Sequence, residues 1–311
     1  MQVKRTSAVA LVSLMVVLAL VPAAHAMSFS PWAPAVNAED VLGTSEQLNS
    51  PSLDGCPSQS PDGLSLYMAS TRPRYAGDPR TDLDIWVARR DSADEPWGAP
   101  QNLGAPINST ADDFCPTPVR GRGLFFVSRR VINGVTCGQA DIYLTRFNRP
   151  HGWRSPEHLG CGAEGGPNSP LDEQGPSYVE TDAGTFLFFS SGPDIYASRR
   201  GQTGDFGPGV AQAELNTAAS DIQPNVRKDG LEVLFASNRI AAAGQDIWSS
   251  TRDSVDDPWS APINLGPAVN TTANETRPSL SWDGTTLYFG RATALTPADI
   301  FVTTRTRLTG N

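Results

Sequence analysis

Histidine is scarce in this chain, at three residues, and basic side chains number 24 against 33 acids, for a formal charge of −9. That balance sets the chain against nucleic acid and against anionic membrane surfaces. The basic residues are scattered, with no cluster along the sequence. No His/Cys pair has the spacing of a zinc site, and neither a Gly-x-Ser-x-Gly turn nor a phosphate-cradling P-loop is present. No metal and no cofactor is therefore expected. Long apolar runs are missing as well, except at the start.

That exception reads as a targeting segment. Lys4 and Arg5 precede an apolar stretch from Ala8 to about Val21, which ends in Ala24-His25-Ala26. A short positive region, an apolar core and an A-x-A site make a secretory signal peptide over residues 1–26. The run is short for a bilayer span. The expectation is an exported chain, periplasmic or extracellular, with no membrane insertion after cleavage. Residues 27–311 then form the working protein.

What the sequence does contain is a repeat. Asp-Ile-aromatic occurs five times, at Asp84-Ile85-Trp86, Asp141-Ile142-Tyr143, Asp194-Ile195-Tyr196, Asp246-Ile247-Trp248 and Asp299-Ile300-Phe301, about 53 residues apart. Each triplet follows an apolar run such as Val233-Leu234-Phe235, and each run follows a glycine-rich turn. Asp62-Gly63, Asp229-Gly230 and Asp283-Gly284 are strong hairpin signals; the second repeat substitutes Gly121-Arg122-Gly123. Upstream of each turn stands a proline: Pro57, Pro116, Pro176, Pro224 and Pro278. Each unit reads as four short strands, a to d, and four antiparallel strands at this period mean propeller blades.

The repeats begin at about residues 51, 110, 170, 218 and 272, and the last lacks a fourth strand. The segment 27–50 carries the missing piece: Trp32-Ala33-Pro34, then Val41-Leu42-Gly43, then Asn49-Ser50. The expectation is a single five-bladed β-propeller, all-β, closed by an N-terminal strand that completes the last blade. Closure removes the exposed edges that an open ring would leave.

Ser60-Pro61-Asp62-Gly63, the Ser-x-Arg after the second strand, Asp-Ile-Trp and Trp-x-x-Pro-x-Asn-Leu-Gly resemble the TolB-like, WD-like β-propeller repeat family. The resemblance implies the fold over the whole mature chain. It also implies export to a bacterial envelope and a scaffold or binding role, with sugar-active propellers among the relatives.

The hairpin direction puts the start of strand a, the b–c loops and the d-to-a connections on one face, here the upper face. Three residues before each proline is an acid: Asp54, Asp113, Glu173, Asp221 and Glu275. These form a ring that could contact an ion or supply a glycosidase pair. Its repetition, with Arg72, Arg130 and Arg239 ending strand b on the same face, points instead to a structural network between blades. No catalytic residue is assigned.

Features that break the repeat are the better binding candidates, because recognition usually sits on loops of a rigid scaffold. The slot before each proline varies through Cys56, Cys115, Gly175, Gln223 and Arg277, and the long b–c loop of blade 1 carries Arg74 and Tyr75. Arg74, Tyr75, Gln223 and Arg277 are the expected contacts for a protein or peptide of the cell envelope. A carbohydrate-binding or carbohydrate-cleaving propeller is the alternative. Cys56 and Cys115 fill equivalent slots in adjacent blades, and Cys137 and Cys161 lie in blade 2. Two disulfides are expected, Cys56–Cys115 and Cys137–Cys161 being the favoured pairing of the three possible.

Overall fold

A computed structural model describes residues 28–132, 134–240, 244–293 and 296–308. The expected signal peptide lies outside the described residues. The fold is an all-β propeller of five antiparallel blades. Blade 1 consists of Asp54–Gln59, Ser65–Ser70, Asp84–Arg89 and Gln101–Asn102. Blade 3 has Glu173–Thr181, Gly184–Ser191, Asp194–Arg199 and Val210–Ala211, and blade 4 has Asp221–Val226, Glu232–Ser237, Asp246–Thr251 and Ile263–Asn264.

Blade 2 departs from the pattern. Its strands a, b and d are Asp113–Val119, Gly123–Ser128 and Glu157–His158, but strand c, Asp141–Asn148, runs on into a second hairpin with Gly152–Trp153. Blade 5 takes Asn274–Leu280, Thr286–Ala292 and Asp299–Thr304 from the C-terminal end of the chain. Its fourth position is held by Val36–Asn37, where Val36 pairs with Val302 and Asn37 with Phe301.

The core lies between blades rather than within them. A four-stranded blade has two faces, and both must be covered, which is why Gly123–Ser128 and Glu232–Ser237 are buried along their whole length. The buried apolar residues fall into five clusters, one at each blade interface. Leu66, Met68 and Trp86 of blade 1, for example, pack on Tyr288, Ile300 and Val302 of blade 5. The repeated tryptophans belong to this packing. Trp97 donates to Tyr288 Oη at 3.1 Å. Arg90, Arg252 and Arg305 lie over Trp97, Trp259 and Trp32 at 4.1, 4.1 and 4.3 Å.

Every innermost strand carries the same irregularity. The a–b register slips between Gly55 and Ser58, Phe114 and Thr117, Gln174 and Ser177, Ile222 and Asn225, and Thr276 and Ser279. The residue at each slip is the one before the proline, and it sits at left-handed φ: 49° at Cys56 and Cys115, 56° at Gly175, 57° at Gln223 and 58° at Arg277. Glycine meets that demand freely, while the four other residues resist it by about 1 kcal/mol or more each. Five bulges at one level turn four side chains, and the bare backbone of Gly175, toward the axis.

Candidate functional site

The ring carboxylates are fully buried, and three of them are held by the same kinds of partner. Asp113 accepts from Ser109 N and Oγ at 2.6 and 2.8 Å, from Ser128 Oγ at 2.5 Å and from Arg130 Nη2 at 2.6 Å. Asp221 repeats this with Thr217, Ser237 and Arg239, and Asp54 with Ser50 and Arg72. Each arginine also donates to a backbone carbonyl of the d-to-a connection: Arg72 to Leu48, Arg130 to Ile107, Arg239 to Leu215. The network therefore ties strand a to the segment that enters it, and the arginine charge is spent inside it.

Glu275 achieves the same end with different residues. Its partner is Arg291, at 2.8 Å, and Arg291 stands directly opposite it in the a–b pairing, where the other blades have serine. The sequence reading missed this arginine because it occurs two positions before the Ser-x-Arg slot. The glutamate's extra methylene compensates for the shift.

Blade 3 has no such cation. Glu173 pairs opposite Ser191, and the next residues are Gly192-Pro193. Glu173 Oε1 accepts from Ser169 N at 3.1 Å, and Oε2 has no partner among the described residues. Burial pushes this carboxyl up to about 7, outweighing the nearby serine hydroxyls, and the charge of Asp141 adds to the rise. Asp141 behaves in the opposite sense. Burial works against its charge, yet the His158 hydrogen bond and the N–H groups of Cys137 and Gly138 hold it below the usual carboxylate range.

His158 stands in the repeat position of Asn102 and Asn264, and it makes their bond. Asn102 donates to Asp84 and Asn264 to Asp246, both at 2.8 Å, and His158 Nε2 lies 3.0 Å from Asp141 Oδ2. Ligand atoms of Cys137, Asp141 and His158 lie within 4.8 Å of one another. Cys137 is bonded to Cys161, however, so its sulfur is not a free thiolate and two ligands remain, short of a zinc site. The second disulfide joins Cys56 to Cys115, with Cα atoms 4.8 Å apart, across the axis-facing slots of blades 1 and 2. Two disulfides belong to an oxidising compartment, which fits an exported chain.

The four expected contact residues do not come together. Tyr75 stands on the upper rim and is 63% exposed. Arg74, close by in sequence, is committed to Asp78 through Nε and Nη2 at 2.5 and 2.6 Å. Gln223 and Arg277 are not rim residues at all, because the bulge turns them into the axis. Gln223 Nε2 donates to Gln174 Oε1 at 2.8 Å, and its Oε1 accepts from Arg277 N at 3.1 Å. Burial lowers the Arg277 guanidinium below its ordinary value, and its Nε has no partner among the described residues. With the disulfide, these side chains reduce the axial cavity to about 30 Å3, room for a water or two.

Sequence reasoning also missed the apolar character of the rim. Val131 and Val135 on the b–c loop of blade 2, Leu171 before blade 3 and Ile240 after strand b of blade 4 are exposed, as Tyr75 is. The variable b–c loops signalled where to look but not which side chains would emerge.

No protein-family sequence model and no curated protein matches the chain. Solved structures do. A GH43 endo-arabinanase from Bacillus licheniformis superposes with a TM-score of 0.53 at 14% identity, over 86% of this chain and 97% of that one. A glycosyl hydrolase from Bacteroides ovatus gives 0.54 at 8% identity, over 88% and 94%. TolB from Acinetobacter baumannii gives 0.45 at 13% identity, over 88% of this chain and 63% of that one. At these identities the likeness is one of fold alone.

Proposed function

We propose that this chain is an exported, non-catalytic binding propeller that engages a protein or peptide of the cell envelope over its upper face. One observation carries the reading: Tyr75, Val131, Val135, Leu171 and Ile240 expose apolar surface around an axis that is already filled. Exposed apolar groups on loops of a rigid scaffold are what a protein interface uses.

The test is a capture from envelope extract by the intact protein, by Tyr75→Ser/Ile240→Ser, and by the control Ile263→Ser on the outer strand of blade 4. A partner held by the wild type and the control but lost from the double variant supports the reading. A partner retained by all three overturns it.

A second reading, glycoside cleavage, is favoured by the Glu173–Asp141 pair. Two neighbouring carboxylates whose environments push their proton affinities apart form the acid and base of such enzymes, and the fold neighbours include an endo-arabinanase. Against it, Glu173 is 0% and Asp141 1% exposed, so a glycosidic oxygen has no route to either. Arabinan turnover that disappears in Glu173→Gln would favour the second reading over the first.

A further inference from the structure

The lower face holds a site that the sequence did not disclose. The basic residues look scattered along the chain, but folding gathers Arg89 of blade 1 with Arg120, Arg122 and Arg149 of blade 2 along one cleft of about 510 Å3. None of the four makes an ion pair among the described residues, in a chain whose acids outnumber its bases. The contrast with the upper face is sharp, because Arg72, Arg74, Arg80 and Arg130 there are all committed to aspartates. One carboxylate, Asp62, lines the cleft, and it is occupied by Ser60 Oγ and Leu64 N.

Two departures from the repeat build this cleft. The first is the additional hairpin of blade 2, which carries Arg149 in its turn and Trp153 in its return strand. Phe147 and Trp153 meet edge to face at 5.4 Å and form one wall, with Tyr67 across from them on blade 1. The second is Arg122. It sits at φ 62° in the a–b turn, a conformation that L side chains avoid, directly after Gly121 at φ 73°, whereas this turn in the other four blades holds one left-handed residue each, a glycine: Gly63, Gly184, Gly230 and Gly284. An arginine kept where glycine is relaxed, pointing at no acid, argues for a ligand outside the chain.

We propose that this cleft binds a carboxylate-bearing oligosaccharide, a short chain of uronic acid residues. Guanidinium forks take carboxylates in bidentate geometry, and flat aromatic faces take the apolar face of a pyranose ring. A uronic acid presents both features on one ring, and an open cleft with several forks suits several such rings in a row. The net negative charge of the whole protein disfavours a denser polyanion such as nucleic acid. This site is separate from the upper rim and does not depend on what binds there.

The test is titration calorimetry of the intact protein with trimers of mannuronate, galacturonate and glucuronate, with neutral mannotriose and with a hexaglutamate peptide, at low and at moderate salt. At least one uronate trimer is expected to bind, more weakly as salt rises, with mannotriose and the peptide at least about tenfold weaker, a difference of about 1.4 kcal/mol. Arg149→Gln and Arg122→Gly should each weaken the uronate by about tenfold or more. Arg122→Gly relieves its own backbone, so its melting temperature should hold or rise, and lost binding cannot be ascribed to unfolding. Failure of all three uronates, equal binding of mannotriose, tighter binding of the peptide, or unchanged affinity in both variants would each overturn the proposal.

Discussion

In blade 2, Asp113 is surrounded by Ser109, Ser128 and Arg130, and its charge is matched within 2.6 Å. In blade 3, Glu173 occupies the same place in the same network, equally buried, with Pro193 where the arginine would stand. Both blades bury an acid at the start of strand a opposite a serine of strand b, and only blade 2 supplies a cation to it. With no cation beside it, burial lifts the Glu173 carboxyl to about 7. Repetition conserves the position of a group, while its neighbours decide its chemistry.

Three experiments act on this comparison. The largest effect should come from breaking the paired side. Asp113→Asn leaves the buried Arg130 guanidinium without its counter-charge and should cost about 3–5 kcal/mol, read as a lower urea midpoint. A loss under about 1 kcal/mol would mean that the pair contributes far less than its burial suggests.

The next effect is on the bare side, and its sign depends on pH. Glu173 binds its proton more tightly folded than unfolded, so its contribution is fully present below the unfolded value of 4.5 and is lost as pH rises through about 7. By pH 8 the wild type should have lost about 2–4 kcal/mol from this group. Glu173→Gln cannot ionise, so the variant should gain on the wild type between pH 4 and pH 8. Denaturation at both pH values checks this, and parallel curves for the two proteins would remove the distinction between the blades.

The smallest effect should come from converting one blade to the other's plan. Ser191→Arg places in blade 3 the cation that blade 5 has in the same register, opposite its glutamate. It should flatten the pH dependence by holding Glu173 ionised, with a net stability change at pH 7 of about 1 kcal/mol or less, since desolvating the new charge offsets most of the gain. Nuclear magnetic resonance titration of the Glu173 carboxyl would report the fall directly.

Much of this was legible in the sequence. The Asp-Ile-aromatic period fixed five blades because each triplet opens a third strand whose partner and turn are also written out. The acid ring and three of its arginines were legible for the same reason. The inward turn of Gln223 and Arg277 was not, because a left-handed bulge at a residue other than glycine leaves no mark in composition. Nor was the arginine cleft: Arg89 and Arg149 are distant in the chain, and the hairpin that brings Arg149 to the cleft is an extra feature of one blade. Local pattern encodes elements and registers, whereas departures from the repeat become visible only after the fold superimposes them.

The two ends of the described chain lie side by side: Ser28 pairs with Leu308 and Phe29 with Arg307. Five apolar interfaces serve five blades, so no blade is terminal, and none needs the polar cap that an open stack of repeats requires. Order along the polypeptide is thus nearly independent of order in space. A circularly permuted gene, with the old ends joined by a short linker and new ends cut into an exposed lower-face turn such as the one around Asp256, should encode the same ring. The numbering has a beginning; the object it describes does not.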